Sequence, residues 1–134
     1  MHKLESNRAP EALGPYSQAI VTGDLVFLSG QLGINREKGG LEEGVEAQTR
    51  QAFKNIQAVL AEADLNLNHV VKVTVLLKYI EDFAKVNAIY AEHFEQPYPA
   101  RSAFAVKDLP ASALVEIEVI ASTRWQQMET KRAK

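Results

Sequence analysis

Hydrophobic residues recur along the chain at two spacings, and each change of spacing marks a boundary between strand and helix. From Ala19 to Leu32 the pattern predicts two short strands around a Thr22-Gly23-Asp24 turn, the second being LVFLSGQL. From Val45 to Ala63 the spacing turns helical, with Ala52, Phe53, Ile56, Val59, Leu60 and Ala63 on one face. Asp64, Asn66 and Asn68 mark the exit of that helix. VVKVTVLLK, from Val70 to Lys78, returns to a strand, and Glu81 to Phe94 predicts a second helix with a stripe of Phe83, Val86, Tyr90 and Phe94. Two further strands fall near Arg101 to Lys107 and Ala113 to Ser122. Apart from Arg101 and Ser102, the run from Ala100 to Val106 is apolar and reads as a buried strand that opens on a lone arginine.

The order is ββαβαββ, an α+β arrangement with room for an extra strand near the N-terminus. Strand-helix-strand crossovers between parallel strands are right-handed, so two crossovers running the same way across a sheet put both helices on one face. The other face is then uncovered. On VVKVTVLLK, Val71, Val73, Val75 and Leu77 point one way, while Val70, Thr74 and Leu76 point the other. That second face is too apolar for water, so it is expected to meet another subunit.

Composition narrows the field. The chain has 134 residues, 46% of them hydrophobic, enough for one domain burying roughly two-thirds of its unfolded surface. We expect that domain over residues 1–123, followed by a short basic extension over 124–134. No stretch approaches the roughly 18 uncharged apolar residues of a membrane span, and the start MHKLESNRAP lacks the apolar core of a signal peptide, which makes the cytoplasm the default location. Cysteine is absent, and His2, His69 and His93 stand far apart, so neither a thiolate nucleophile nor a metal-ligand pair is expected. Residues 1–123 hold eleven basic and sixteen acidic groups, and the tail from Arg124 four basic and one acidic. An acidic body lacks the basic stripe that releases counterions from phosphates, which argues against a nucleic-acid partner.

Several polar residues stand among apolar neighbours, each with a structural and a functional reading. Asn87 sits on the stripe of the second helix, either bonded to backbone at a helix edge or facing a ligand. Ser29 and Gln31 share a face with Leu25 and Phe27, as a polar strand end or as site groups beside Gly30, which permits close backbone approach. Glu116 and Glu118 point away from the core face of Val115, Ile117, Val119 and Ala121, as two solvated carboxylates or as site groups. Arg101 either snorkels from a strand start, pairs with a structural carboxylate, or offers a fork of donors to the carboxylate or phosphate of a small ligand.

Five segments in order, APEALGPYSQAI (Ala9 to Ile20), LSGQL (Leu28 to Leu32), DFAKVNAIY (Asp82 to Tyr90), PARS (Pro99 to Ser102) and LVEIEVIA (Leu114 to Ala121), resemble the RidA/YjgF family of reactive enamine/imine deaminases. The resemblance runs from about Ala9 to Ser122. It implies a chorismate-mutase-like fold, a sheet backed by two helices, with three subunits packed through their sheets and ligand clefts between neighbouring subunits. It maps the family's functional residues onto Tyr16, Ser29, Gly30, Asn87, Arg101 and Glu116. Three departures bear on the cleft rim: Ala103 where many members carry cysteine, Tyr79 where many carry an acid, and a loop from Phe94 to Pro99 that is shorter than in many relatives.

The resemblance implies a 2-iminobutanoate/2-iminopropanoate deaminase that needs no metal or organic cofactor. Pyridoxal phosphate enzymes that eliminate water from serine or threonine release 2-aminoacrylate or 2-aminocrotonate, which tautomerise to 2-imino acids. Their hydrolysis to a 2-keto acid and ammonia protects those enzymes. In that chemistry Arg101 would grip the carboxylate through two parallel hydrogen bonds and Glu116 would activate the attacking water. Tyr16, Ser29 and Asn87 would shape the pocket by hydrogen bonds, and Gly30 would let backbone approach the ligand. Two other classes compete: a non-catalytic regulator that binds small carboxylates or keto acids in the same cleft, and the ribonuclease or translation inhibitor activity attributed to some relatives.

Overall fold

The computed structural model of the chain describes residues 1–124. In chain order its elements are β1 (His2–Leu4), β2 (Ala19–Thr22), β3 (Leu25–Leu28), β4 (Gln31–Leu32), β5 (Ile34–Asn35), β6 (Gly40–Leu41), α1 (Val45–Ala61), β7 (Val70–Leu77), α2 (Phe83–His93), β8 (Ala100–Ala105) and β9 (Val115–Ser122). Seven strands form one mixed sheet in the order β1-β2-β3-β9-β7-β8, with β4 also paired to β9; β5 and β6 make a separate small hairpin that periodicity did not indicate. The expected extra N-terminal strand is β1. The expected basic extension lies outside the described residues except for Arg124, whose Nε approaches Asp24 Oδ2 at 3.7 Å.

The helices lie on one face of the sheet because β4 to β7 and β7 to β8 step across it in the same direction. The core is their shared layer. Phe53 of α1 is fully buried, stacks on the His93 ring at 4.3 Å and meets Tyr90 and Phe94 edge-on, so it ties α1 to α2. Opposite it the sheet presents Val73, Val75, Val115, Ile117 and Val119. Truncating Phe53 to alanine would cost about 3–5 kcal/mol, the usual range for a large core aromatic.

Two irregularities in the sheet change which residues face the core. Phe27 pairs with Ile120 and Gln31 with Ile117, so the β3–β4 side carries one residue more than β9 across the Ser29-Gly30 step. LVFLSGQL is therefore not one strand. The extra residue flips the alternation, so Gln31 does not share the face of Leu25 and Phe27; it pairs with Ile117 on the helix side and is buried. A second shift lies between Val70 and Lys72. It buries Val70 and leaves Val71 half-buried, the reverse of strict alternation, while Val73, Val75 and Leu77 keep their core positions.

The face away from the helices is uncovered in the single chain. It presents Leu25, Phe27 and Phe104 at 39%, 41% and 49% exposure, with Leu76 and Ile120 half-buried between them. The run from Ala100 to Val106 is not a buried strand: β8 is the outer strand of the sheet, paired only with β7 among the described residues, and only Ala103 packs against the core. Among the described residues no helix is long and apolar enough to cross a membrane.

Candidate active site

Arg101 stands near the start of β8 in register with Val73, a core residue, so its side chain leaves the sheet on the helix side. There it meets α2. Its Nη1 donates to Asn87 Oδ1 at 2.7 Å, and its guanidinium carbon lies 4.6 Å from the centre of the Tyr90 ring and 5.4 Å from that of Phe83. Asn87 is thus bonded to a side chain rather than to backbone. Arg101, Asn87, Tyr90, Ala91, Tyr98 and Pro99 line an open cavity of about 420 Å³.

Glu116 lies on β9 in register with Leu76 and Leu32, so it points to the uncovered face. Its half-buried carboxyl rests against Gly30, where a Cβ would overlap Glu116 Oε2. The glycine at the β3–β4 irregularity is therefore what lets the backbone come this close. Burial pushes the Glu116 carboxyl above the usual carboxylate range, and the charge of Glu118 on the same face pushes it further. Tyr16, Ser29, Gly30 and Glu116 line one cavity of about 650 Å³, with Gln18 and Arg36 also on its wall. Ser29 donates its hydroxyl to the Ser17 carbonyl at 2.6 Å and its N–H to Gln18 at 2.9 Å, which docks the segment bearing Tyr16 beside Glu116.

The six sequence-derived residues fall into two groups. Tyr16, Ser29, Gly30 and Glu116 come together on the open face, and Asn87 and Arg101 on the helix side. Within one chain the groups stay apart. Arg101 is in register with Val73 and Val119, and Glu116 lies two strands away and three residues along, an offset of roughly 10 Å in each direction at ordinary strand spacings. Three residues is an odd number, so the two side chains also point to opposite faces.

Three buried polar residues that place the Glu116 group were not singled out by sequence. Gln18 takes the Ser6 N–H at 2.6 Å and donates to the Ser6 and Pro10 carbonyls at 3.1 and 2.7 Å, folding residues 6–18 against the sheet. Gln48 accepts the Leu114 N–H at 2.8 Å, and Asn55 donates to the Leu32 and Ile34 carbonyls at 3.0 Å each, so α1 fixes both strands around Gly30. The signal was present, since Gln48 and Asn55 are seven residues apart on the buried face of α1. Among the described residues no group of three or more histidines, aspartates or glutamates is placed to share a metal ion.

A mixed sheet with two helices on one face is the α+β architecture that similar proteins of known structure share. The family described as Endoribonuclease L-PSP matches residues 6–123. The 2-iminobutanoate/2-iminopropanoate deaminase of Bos taurus is 43% identical over 119 residues, spanning 88% of this chain and 87% of that protein. The crystal structure of RidA from the Antarctic bacterium Psychrobacter sp. PAMC 21119 superposes with a TM-score of 0.88 at 43% identity, covering 91% of this chain and 99% of that one. Escherichia coli TdcF, solved with bound serine, gives 0.85 at 36% identity and covers 91% and 98%. The chain belongs to the RidA/YjgF family.

Proposed function

We propose that the protein is a hydrolytic deaminase of 2-imino acids, assembled as a homotrimer whose clefts join the Arg101 group of one copy to the Glu116 group of the next. One observation carries this reading. Glu116 is a half-buried carboxyl with a raised pKa, held on an apolar face that the Arg101 group of the same chain cannot reach. A second copy covering the open face removes the cost of exposing Phe27 and Phe104 and supplies the missing arginine. The deaminase name of the bovine relative and the serine in TdcF, a small molecule with an α-carboxylate, support the same ligand class.

The chemistry follows from the two groups. The Arg101 fork holds the carboxylate of the 2-imino acid and thereby fixes the adjacent C=N carbon. With the imine nitrogen protonated, Glu116 takes a proton from water as the water oxygen bonds to that carbon, giving a neutral carbinolamine. The same carboxyl then passes that proton to nitrogen and accepts the hydroxyl proton as the C=O forms and the C–N bond breaks, so that ammonia leaves a 2-keto acid and Glu116 returns its proton to solvent. A carboxyl above its usual range suits both steps, because a group that must accept and then give a proton works best when its pKa is nearer the working pH. Tyr16 shapes the pocket beside Glu116, and Ser29 acts by docking Tyr16. The reading places the enzyme in the cytoplasm, where it intercepts imines released by pyridoxal phosphate enzymes.

A coupled assay tests it. A serine or threonine dehydratase generates the imine, and keto acid formation is followed with and without this protein. Acceleration is expected. Normal binding of pyruvate with no acceleration would turn the reading into that of a carboxylate-binding regulator, and RNA cleavage by the same preparation would favour the ribonuclease class.

A further inference from the structure

We propose that Phe83, Asn87 and Tyr90 form a cradle on α2 that sets the Arg101 guanidinium in its carboxylate-gripping pose before a ligand arrives, with Tyr90 as the principal positioning residue. This rests on the reading of Arg101 given above. The three residues are spaced by four and then three positions, so they form one stripe of α2 facing the start of β8. Tyr90 lies under the guanidinium and Phe83 beside it, both within cation–π range, while Asn87 takes one of the guanidinium's five N–H donors. The rings cover a face of the planar group, and a face makes no hydrogen bonds. The remaining edge donors stay available to a ligand.

The surroundings of Tyr90 single it out. Its hydroxyl is the one buried side-chain polar atom without a hydrogen-bond partner among the described residues. Burial raises the pKa of the phenol and the Arg101 charge opposes that rise, so the ring meets the guanidinium as a neutral π surface. The ring is held by Phe53 and Phe94 in the core, so a ring already fixed by packing stands under the cation. Arg101 itself is exposed, and an unrestrained surface arginine would lose rotamer freedom on gripping a ligand. The cradle removes that loss in advance. It also makes lysine a poor replacement, since an ammonium has no plane to stack and no fork to present.

Pyruvate binding by titration calorimetry and steady-state imine hydrolysis, measured on the full-length protein, test the proposal. Tyr90→Leu is expected to weaken pyruvate roughly 5- to 30-fold, the range of a cation–π contact, and to raise KM by a similar factor with kcat changed by no more than about twofold. Tyr90→Phe restores binding, because the ring is kept. Asn87→Ala weakens pyruvate by about tenfold through loss of one hydrogen bond to a charged group, and it covers the case in which Tyr90→Leu does not fold. Arg101→Lys stays defective. If folded Tyr90→Leu and Asn87→Ala bind pyruvate like the parent while Arg101→Ala does not, the cradle is wrong and the site stands. A fall in kcat at unchanged KM for Tyr90→Leu also overturns the cradle, and normal pyruvate binding by Arg101→Ala overturns the site itself.

Discussion

Arg101 meets α2 at three side chains, whereas the Glu116 carboxyl rests against a glycine and takes no hydrogen bond among the described residues. The difference fits the roles proposed for the two groups. A ligand anchor gains from being fixed, because ordering is then not charged to binding. A proton carrier gains from being desolvated and unpaired, since a partner that stabilised its ionised form would lower its pKa and weaken it as a base. Secondary structure delivers each condition: a helix stripe supplies rings and an amide to Arg101, and a sheet irregularity supplies the bare backbone at Gly30.

The strongest way to break the comparison is to remove each group in turn. Glu116→Gln should keep the pocket's shape and pyruvate binding while imine hydrolysis falls roughly 100-fold or more, the usual size of a lost general base. Gly30→Ala should act like it, because the added methyl meets the far end of the flexible Glu116 side chain, which swings aside and leaves the fold intact. Gly33→Ala is the contrast. There a Cβ would overlap the backbone of Gln48 in α1, which cannot swing, so the expected loss is of folding, read as a lowered melting temperature. Arg101→Ala should cost on the order of 1.5–3 kcal/mol in pyruvate binding, measured by titration, together with turnover.

Mixing sharpens it. Arg101→Ala and Glu116→Gln, each inactive alone, are expected to regain part of the wild-type turnover when unfolded together and refolded, because some clefts then pair an intact Arg101 group with an intact Glu116 group. No recovery in mixed oligomers would mean that the two groups do not serve one cleft. A monomer mass by light scattering at micromolar concentration would remove the shared cleft altogether.

A smaller effect is expected at Glu118. It shares the face of Glu116 and its charge helps to raise the Glu116 pKa, so it is not a silent neighbour. Glu118→Gln removes that repulsion, lowers the Glu116 pKa, and moves the acid limb of the pH–rate profile to lower pH. The same change favours the ionised carboxyl in the folded protein. A group with a raised folded pKa costs stability once the pH passes its unfolded value, so Glu118→Gln should also be slightly more stable at neutral pH. An unmoved acid limb would show that Glu118 does not act on the catalytic group.

Much of this was legible along the chain, and the parts that were not have local causes. Periodicity located both helices and the main strands, because Phe53, Ile56 and Val59 on α1 and Val73, Val75 and Leu77 on β7 bury one face each. It fails at Gln31 and at Val70 and Val71, where one inserted residue reverses alternation; Gly30 marks the first insertion, and no residue type announces the second. It misjudged β8, whose apolar composition suits a covered strand while the single chain leaves it at the edge. Of the site, the six residues could be named from motifs, but their division between two faces depends on register: Arg101 follows Val73 and Glu116 follows Leu76. Tyr90 is legible only as core, because a helical stripe does not distinguish a ring that packs from a ring that also carries a cation.

The smallest expected effect concerns the backbone beside the Glu116 group. Ala111 and Ser112 both adopt left-handed conformations, with φ of 58° and 59°, in the turn that leads into β9, and Pro110 of the same turn lines the Glu116 cavity. A residue with a Cβ held there costs roughly 1–2 kcal/mol relative to a right-handed conformation. Glycine removes that cost but gives the unfolded chain more freedom, which offsets about 0.4–1 kcal/mol. Ser112→Gly is therefore expected to stabilise the protein by about 0.5–1 kcal/mol, seen as a rise of a few degrees in melting temperature. Pyruvate binding should not change, because Ser112 itself lines neither the Glu116 cavity nor the Arg101 cavity. A melting temperature that falls would mean that the Ser112 side chain contributes more to the turn than its conformation costs, and a change in pyruvate affinity would mean that the turn passes its conformation on to Pro110 in the Glu116 cavity wall.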